Sequence, residues 1–312
     1  MVSASATKLA SLTVKSSGNG GLVMVRSGVQ KAWDEMEARL HGEGTQGLVP
    51  KWSSVRRKVP YLEPTDLMVL GARPSMGKTA LALNWAEDAA AGGRNVAAFS
   101  LEMSASQWSL RLMAAHAGVD LNRMREKGAL NNDEWARLSQ ARNYIQSLPL
   151  AIDDCGALSV DALAARASRM HAKVPGGLGL IVVDYLQLLT GKAKSENRND
   201  EVSYISRRLK GLAKELHCPV MALSQDDYYS KDACGAPGIS ELIVAKNRQG
   251  ETGTCYLQYR LQCSAFDDYT GPGPNYNHKG VATAGGGDDD FDVPSLGRRR
   301  RSRRDMAAGD DA

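Results

Sequence analysis

The chain has 312 residues, of which 43% are hydrophobic and 24% are charged, and its formal net charge is +4 at pH 7. These values are typical of a globular protein, and the bulk charge is too small to make the whole chain a binder of polyanions. No apolar run is long enough to span a bilayer, and Met1 to Ser17 lack the apolar core of a secretory signal. The five cysteines are scattered without a CxxC pair, which argues against a disulfide scaffold or a zinc site and suits a reducing cytoplasm.

The N-terminal region contains two different patterns. Residues 1–20 are rich in Ser, Gly and Ala and are predicted to be disordered. Over 21–59 we expect a linker helix and its connection, because apolar residues recur every three or four positions and so share one helical face: Val25, Val29, Trp33, Met36 and Leu40. This helix either packs on its own domain or docks on another subunit, since only a Gly-rich stretch joins it to the rest of the chain.

Residues 60–269 are expected to form one domain, in which strand and helix patterns alternate up to about residue 225. The predicted strands are 66–70, 95–100, 150–153, 180–184 and 219–224, and the predicted helices are 79–91, 104–117, 133–147, 160–172 and 202–216. Such alternation favours an α/β fold with a doubly wound, mostly parallel sheet. Residues 242–245 and 253–259 then predict a hairpin that turns at Gln249 and Gly250.

The last segment, 270–312, is rich in Gly, Asp and Arg without periodicity, and it is predicted to be a disordered tail. It holds an arginine block at 298–304, which follows an acidic run at 288–292. The block could bind nucleic acid, act as an address signal or be a merely solvated segment.

A phosphate-binding loop is the strongest chemical signal, because a Gly-Lys-Thr motif lies between a predicted strand and a predicted helix. In such a loop, backbone N–H groups and the positive end of the following helix surround the phosphates. We expect Lys78 to reach the β- and γ-phosphates and the Thr79 hydroxyl to bind Mg²⁺. The strict pattern has Gly where Ala72 stands, and the alternative is a chance turn at a helix start. The predicted nucleotide-binding residues are Ala72, Arg73, Pro74, Ser75, Met76, Gly77, Lys78, Thr79 and Ala80.

Polar residues follow several predicted strands, at the sheet end where ligands bind in α/β folds. Asp184 could hold Mg²⁺ or cap a helix. Glu102 could orient and deprotonate the attacking water, or it could simply start the next helix. Gln225 could sense the γ-phosphate or lie in a surface loop. Lys246 and Arg248 would project from one face of a strand, either to stabilise charge on a neighbour's ATP or as a solvated basic strand edge.

The stretch from about 60 to 268 resembles the C-terminal ATPase domain of DnaB-type replicative DNA helicases. The segments that carry the resemblance occur in the family's order at 72–83, 100–103, 177–189, 208–216, 222–225 and 243–253. The resemblance implies a RecA-like P-loop NTPase fold, a ring of six subunits and ATP-driven movement along single-stranded DNA in the 5′ to 3′ direction. It makes Lys78 and Thr79 the phosphate and Mg²⁺ residues. It also makes Glu102 the catalytic base, Asp184 the second Mg²⁺ acid and Gln225 the sensor.

The resemblance further implies contacts between subunits and with DNA. Lys246 and Arg248 match residues that reach into the neighbouring subunit's ATP site. The helix around Trp33 resembles the linker helix that packs on the adjacent subunit of a hexamer. A DNA-facing loop is implied near 191–202, with the cations Lys192, Lys194, Arg198 and Arg207. Contacts between such cations and phosphates would make DNA binding fall with salt.

The chain departs from the family pattern in three places. From the resemblance we expect that the family's N-terminal helical domain, which helps to assemble the ring and recruits primase, is missing, as in a phage-like form. The usual approach to the phosphate loop is altered around Trp52 and at 59–61. The chain is also short after Gln225, as if an internal deletion had removed a DNA-binding loop, a helix and a core strand beside the phosphate-loop strand. Nucleotide binding is therefore better supported than translocation, and translocation better than unwinding.

The function that we expect is that of an ATP-dependent replicative DNA helicase motor. Its cofactors would be ATP and Mg²⁺, and its partners single-stranded DNA, further copies of the chain in a hexamer, and primase or a loader. It would work in the bacterial or phage-infected cytoplasm, without a membrane partner. Two alternatives stay open: a degenerate helicase-like ATP-binding ring component or partner without unwinding activity, and a RecA-type recombinase or helicase loader.

Overall fold

The computed structural model describes residues 24–41, 47–72, 75–191, 198–225, 238–248 and 250–271. The expectations for residues 1–20, for the segment after Gln225 and for the tail from residue 272 lie outside the described residues. The same is true of Arg73, Pro74, Lys192 and Lys194, and of the side chains of Arg198 and Gln225.

Helices and strands alternate along the described part of the chain, as the sequence pattern predicts. The helices are α1 (Val25–Leu40), α2 (Ser53–Lys58), α3 (Lys78–Ala91), α4 (Ala105–Ala117), α5 (Asn132–Ser147), α6 (Val160–Lys173) and α7 (Arg198–Leu216). The strands are β1 (Leu67–Ala72), β2 (Asn95–Ser100), β3 (Leu150–Asp153), β4 (Leu178–Asp184), β5 (Val220–Gln225), β6 (Ile239–Val244), β7 (Gly253–Arg260) and β8 (Ala265–Asp268). None of the described helices is long and apolar enough to cross a membrane.

The first five strands form a parallel sheet in the order β1-β5-β4-β2-β3. The predicted doubly wound α/β fold is thereby confirmed, and the strand ends differ from the predicted ones by a residue or two. Among the described strands, β1 pairs only with β5 and forms one edge, where the Val69 side chain is 51% exposed. Because the strands are parallel, their carboxyl ends lie at one end of the sheet, where ligands bind in such folds.

Both faces of this sheet are covered, because successive side chains of a strand point to opposite faces. On one face, Trp85 of α3 belongs to a buried cluster with Val182 of β4. On the other face, Leu163 of α6 and Leu209 of α7 belong to a cluster with Val183. Strand β4 therefore supplies both cores, and it is buried at nearly every position.

Side-chain caps fix the starts of three helices. Ser104 and Gln107 form a capping box at α4, and Asn131 and Glu134 form another at α5. The Ser159 hydroxyl accepts a hydrogen bond from the first turn of α6. Serine and asparagine are favoured at the N-cap of a helix, and these bonds satisfy N–H groups that a helix start leaves free.

A second sheet, antiparallel in the order β6-β7-β8, contains the predicted hairpin. Its ladder ends at the pair Val244 and Gly253, so Lys246 and Arg248 lie in the turn. The prediction that they share a strand face is wrong, because pairing stops two residues before Lys246. The sequence pattern did not indicate β8, since its four residues are too few to show a period.

The altered approach to the phosphate loop is part of the core. Trp52 is 1% exposed, and its ring meets that of Trp85 edge-on with centroids 5.7 Å apart. Its Nε1 donates a hydrogen bond to the carbonyl oxygen of Phe266 at 3.0 Å. Trp52 therefore joins the segment before α2 to α3 and to the small sheet at once.

Candidate nucleotide site

Among the described residues, no side chain caps the helix that begins at the phosphate loop. Ser75 and Gly77 have left-handed φ angles of 66° and 81°, which turn the chain sharply from β1 into α3. Gly77 is the N-cap of α3 and provides no side-chain hydrogen bond, whereas α4, α5 and α6 each have a capping side chain. Free N–H groups at the positive end of a helix dipole suit a bound phosphate.

Asp184 ends β4 beside the first turn of α3, with a side chain that is fully buried. Its Oδ2 accepts a hydrogen bond from the Thr79 hydroxyl at 3.0 Å, while its Oδ1 is buried without a hydrogen-bond partner among the described residues. Burial raises the pKa of Asp184, and the Thr79 hydrogen bond and the Lys78 charge oppose that rise. A buried oxygen without a donor is costly, and carboxylate oxygen is a ligand that Mg²⁺ prefers. Thr79 and Asp184 therefore fit a nucleotide-bound Mg²⁺.

Lys78 begins α3 close to this carboxylate. Its Nζ lies 4.9 Å from the centroid of the Tyr185 ring, and Tyr185 directly follows Asp184. Burial lowers the pKa of Lys78, while the charges of Asp184 and Glu102 act in the opposite direction. A partly desolvated ammonium at a phosphate loop is a strong partner for an anion.

Glu102 lies just beyond β2 and is exposed. The turn that carries it is held by Ser100, whose hydroxyl donates to the Met103 carbonyl at 2.6 Å and accepts from the Met103 N–H at 3.2 Å. The Glu102 charge acts on both Lys78 and Asp184. A carboxylate that water can reach thus lies near the predicted phosphate and metal residues, as a general base requires.

Strand β5 brings Gln225 beside the start of the phosphate loop, because Gln225 and Ala72 are partners in the parallel ladder. Its sensor role stays a prediction, since its side chain lies outside the described residues. A second amide was missed in the sequence: Gln187 donates its Nε2 to the Ser224 hydroxyl at 2.9 Å. Its place in the helicase-like segment 177–189 is the signal that could have identified it.

Lys246 and Arg248 do not join this cluster within one chain. Both are exposed, and the charges that shift the pKa of Lys78 and of Asp184 come from other residues. Their turn is held at Asn247, whose Nδ2 donates to the backbone carbonyl of Lys58 at 2.7 Å. The turn is therefore fixed to α2, on an open surface of the described chain.

Two further sets of predicted residues lie on helices α7 and α1. Arg207 is exposed on α7, and Arg198 begins that helix. Helix α1 forms as predicted, with its whole apolar stripe exposed: Val25 80%, Val29 61%, Trp33 59%, Met36 45% and Leu40 78%. No described residue of the same chain covers this stripe.

Three residues near the loop carry no motif and were missed in the sequence. The rings of Tyr259 and Phe266 stack with centroids 4.4 Å apart and approach Gly77. Burial raises the pKa of Asp184 and of Tyr259, and the positive charge of Arg111 on α4 acts against both rises. Its Nε is buried without a hydrogen-bond partner among the described residues. A single aromatic residue in a strand or a single Arg in a helix gives no sequence signal of such a position.

The family follows from a match of the chain to a family model. The model described as DnaB-like helicase C terminal domain matches residues 47–227, which is more than half of the 312 residues. The chain belongs to the DnaB-like helicase C-terminal domain family. The match includes Lys78, Thr79, Glu102, Asp184 and Gln225, and it ends before the hairpin.

Individual relatives agree with this family. The DnaB-like chain is 34% identical over 287 residues to the replicative DNA helicase DnaB of Geobacillus stearothermophilus, covering 80% of this chain and 62% of the relative. It is 33% identical over 294 residues to the Haemophilus influenzae DnaB, covering 82% and 62%. The replicative helicase DnaC of Bacillus subtilis is 33% identical over 275 residues, with 76% and 60% covered. The chain thus spans about three fifths of the length of the curated relatives that it matches.

Solved structures show the same fold. One solved ATPase domain aligns with a TM-score of 0.72 at 26% identity, covering 80% of this chain and all of that domain. A structure of a DnaB-like replicative helicase and its interactions with primase aligns with a TM-score of 0.69 at 25% identity, covering 83% and 70%. These alignments confirm the RecA-like ATPase fold of the DnaB-like chain.

Proposed function

We propose that this chain is the motor of a replicative DNA helicase, which hydrolyses ATP to translocate on single-stranded DNA in the 5′ to 3′ direction. The observation that carries the proposal is the Asp184 carboxylate, buried beside the uncapped start of α3 and bonded to Thr79, with one oxygen that no described residue contacts by a hydrogen bond. Membership of the DnaB-like family and relatives named replicative DNA helicase support the same activity.

Each residue of the site has a role in this proposal. The loop residues 72–80 bind the phosphates through backbone N–H groups, and Lys78 pairs with the β- and γ-phosphates. Thr79 and Asp184 hold Mg²⁺, which when bound neutralises charge on the phosphates. Glu102 orients the attacking water and accepts its proton. Gln225 senses the γ-phosphate from the neighbouring strand end.

The exposed residues act between subunits. Lys246 and Arg248, which contribute nothing to the charge cluster of their own chain, reach the ATP of a neighbouring copy and stabilise charge in the transition state. Helix α1 docks on the adjacent subunit of a homohexamer through Trp33 and its apolar stripe. Primase or a loader is a further partner, a proposal supported by the structural neighbour whose own interactions are with primase.

Single-stranded DNA would contact the region that follows β4. Lys192, Lys194, Arg198 and Arg207 are the proposed contacts, and their pairing with phosphates makes affinity fall as salt rises. A location in the bacterial or phage-infected cytoplasm fits these partners and belongs to the same proposal.

The test is Mg²⁺-dependent ATP hydrolysis by the purified full chain, with and without single-stranded DNA. We expect turnover that DNA stimulates and that Lys78→Ala abolishes, followed by strand separation in an unwinding assay. ATP binding by the folded chain without DNA stimulation would instead favour a degenerate ring component that does not unwind.

A further inference from the structure

Two aromatic rings of the small sheet pack against one side of the phosphate loop. A Cβ added at Gly77 would lie 3.0 Å from Cζ of Phe266 and 3.0 Å from Cζ of Tyr259, so the rings fill the space beside this residue. The two rings are stacked, with planes 13° from parallel, because Tyr259 and Phe266 are direct partners in the β7–β8 ladder. We call Tyr259 and Phe266 the aromatic pair.

Hydrogen bonds fix the aromatic pair to the helix that follows the loop. Asn84 of α3, which is 2% exposed, donates its Nδ2 to the Ser264 carbonyl at 3.2 Å and accepts from the Phe266 N–H at 2.8 Å. Trp52 donates to the Phe266 carbonyl. Breaking such buried bonds leaves polar groups without partners, which is costly. The small sheet therefore stays in place on α3, and its rings stay against Gly77.

The described part of the loop, residues 75–77, has an unusual backbone and no side-chain cap at the helix that follows it. Ser75 and Gly77 both adopt left-handed φ angles, which are uncommon for a residue such as Ser. Helix α3 has no capping side chain at Gly77. Unusual backbone conformations persist when the surrounding tertiary structure determines them, and the aromatic pair is the surrounding structure on the Gly77 side.

We propose that Tyr259 and Phe266 are positioning residues of the phosphate loop, which hold the loop ready for phosphate before nucleotide binds. The inference rests on the proposed binding of nucleotide at this loop. Without the ring of Tyr259, the loop would sample other shapes, and the apparent affinity would fall by the fraction of time spent in the competent one. The small sheet would then set nucleotide affinity although none of its residues carries a phosphate-binding motif.

The first experiment measures binding of the fluorescent probe N-methylanthraniloyl-ADP, with Mg²⁺, to the full chain. Tyr259→Leu removes the stacked ring, and Tyr259→Phe retains it. Tyr256→Leu is the matched control, since Tyr256 lies on the same strand and faces the opposite side. We expect about tenfold weaker binding for Tyr259→Leu and a change of less than about twofold for the other two.

The second measurement is amide hydrogen exchange of the nucleotide-free chain, which requires no ligand. We expect faster exchange over 75–81 in Tyr259→Leu than in Tyr256→Leu, at equal melting temperatures. If Tyr259→Leu does not fold, Tyr259→Met takes its place, because the flexible Met side chain fills core gaps without a ring.

The outcomes separate this inference from the proposed function. Unchanged affinity and exchange in the folded Tyr259→Leu variant would overturn the inference, and so would equal losses in Tyr259→Leu and Tyr256→Leu. The proposed function fails in a different way: the unaltered chain then does not bind the probe, or Lys78→Ala binds it equally well. The exchange measurement on the nucleotide-free chain still tests the aromatic pair in that case.

Discussion

The phosphate-loop region and helix α1 both contain apolar residues, but the described chain covers only those of the loop region. Around the loop, the pattern is covered by the same chain, and Trp52, Trp85 and Trp108 are each at most 1% exposed. On α1 the stripe is exposed, and Trp33 keeps 59% of its surface in solvent. The period of a pattern identifies the face that will be buried, but it does not identify the molecule that covers it.

Charged residues show the same difference. Lys78, Asp184 and Glu102 form one electrostatic group inside a single chain. Lys246 and Arg248 lie exposed in a hairpin turn and do not belong to that group. In the proposed function, a single chain therefore supplies the phosphate and Mg²⁺ residues, whereas hydrolysis and assembly need a second copy.

The largest expected effect is that of Arg248→Ala. We expect ATP turnover to fall by about 1,000-fold or more, because a cation supplied from a neighbour to the transition state is worth that much. Binding of the ADP probe should not change. Turnover is measured beside Arg142→Ala, in which an exposed Arg of α5 is removed.

Mixing two inactive variants tests whether Arg248 acts between chains. In a ring of Arg248→Ala and Glu102→Gln chains, some interfaces combine an intact Glu102 with an intact Arg248 from the next subunit. Activity should therefore reappear in the mixture. A mixture as inactive as its components would mean that both residues serve the same chain's site.

The second largest effect is expected for Glu102, the proposed general base. Glu102→Gln keeps the shape of the side chain and removes the base, so we expect turnover to fall by about 100-fold or more. The affinity for the ADP probe should not change, because Glu102 is an exposed residue near the phosphate-binding residues and is not itself one of them. The control is Glu126→Gln, which changes another exposed carboxylate. An equal fall in ATP turnover in this control would contradict the role of Glu102 as the general base.

The next largest effect is expected on the self-association of the chain. Trp33→Ala should weaken self-association by roughly 30-fold, as expected when an interface Trp that contributes about 2 kcal/mol is removed. Mass photometry across concentrations measures it. The melting temperature of the dilute chain should stay constant, because Trp33 is 59% exposed in the single chain. Lys31→Ala changes the opposite face of α1 and should leave association intact.

The smallest effect is a gain in stability. Burial raises the pKa of Asp184 above its usual value of 3.8, so the folded state binds more protons than the unfolded state, and the free energy of unfolding falls as pH rises through this range. Asp184→Asn removes the buried charge and should stabilise the nucleotide-free chain by on the order of 1 kcal/mol at neutral pH.

Chemical denaturation at pH 4.5 and at pH 7.5 checks this prediction. The free energy of unfolding of the variant should exceed that of the unaltered chain, and the difference should be larger at pH 7.5 than at pH 4.5. The variant should also lose Mg²⁺-dependent binding of the ADP probe. A variant that is less stable at neutral pH would mean that the ionised carboxylate contributes favourable bonds in the nucleotide-free chain.

The central sheet could be predicted well because its signals are local. Strand β4 is a continuous apolar run, and α4 and α6 begin at Ser caps, so their ends depend on residues near one another in the chain. Helix α2 and strand β8 could not be predicted, because six and four residues show no period. Lys246 and Arg248 were misplaced on a strand for a similar reason: hydrogen-bond pairing, which local pattern does not report, ends the strand at Val244.

Motifs and periods along the chain were enough to predict the fold class, the helicase-like family and four site candidates: Lys78, Thr79, Glu102 and Asp184. The packing of the elements alone shows that one Asp184 oxygen has no hydrogen-bond partner among the described residues and that the aromatic pair lies against Gly77. Trp52 and Phe266, which share a hydrogen bond, are 214 residues apart. Contacts of this kind form only when separate elements pack, and each depends on the shape of the whole core.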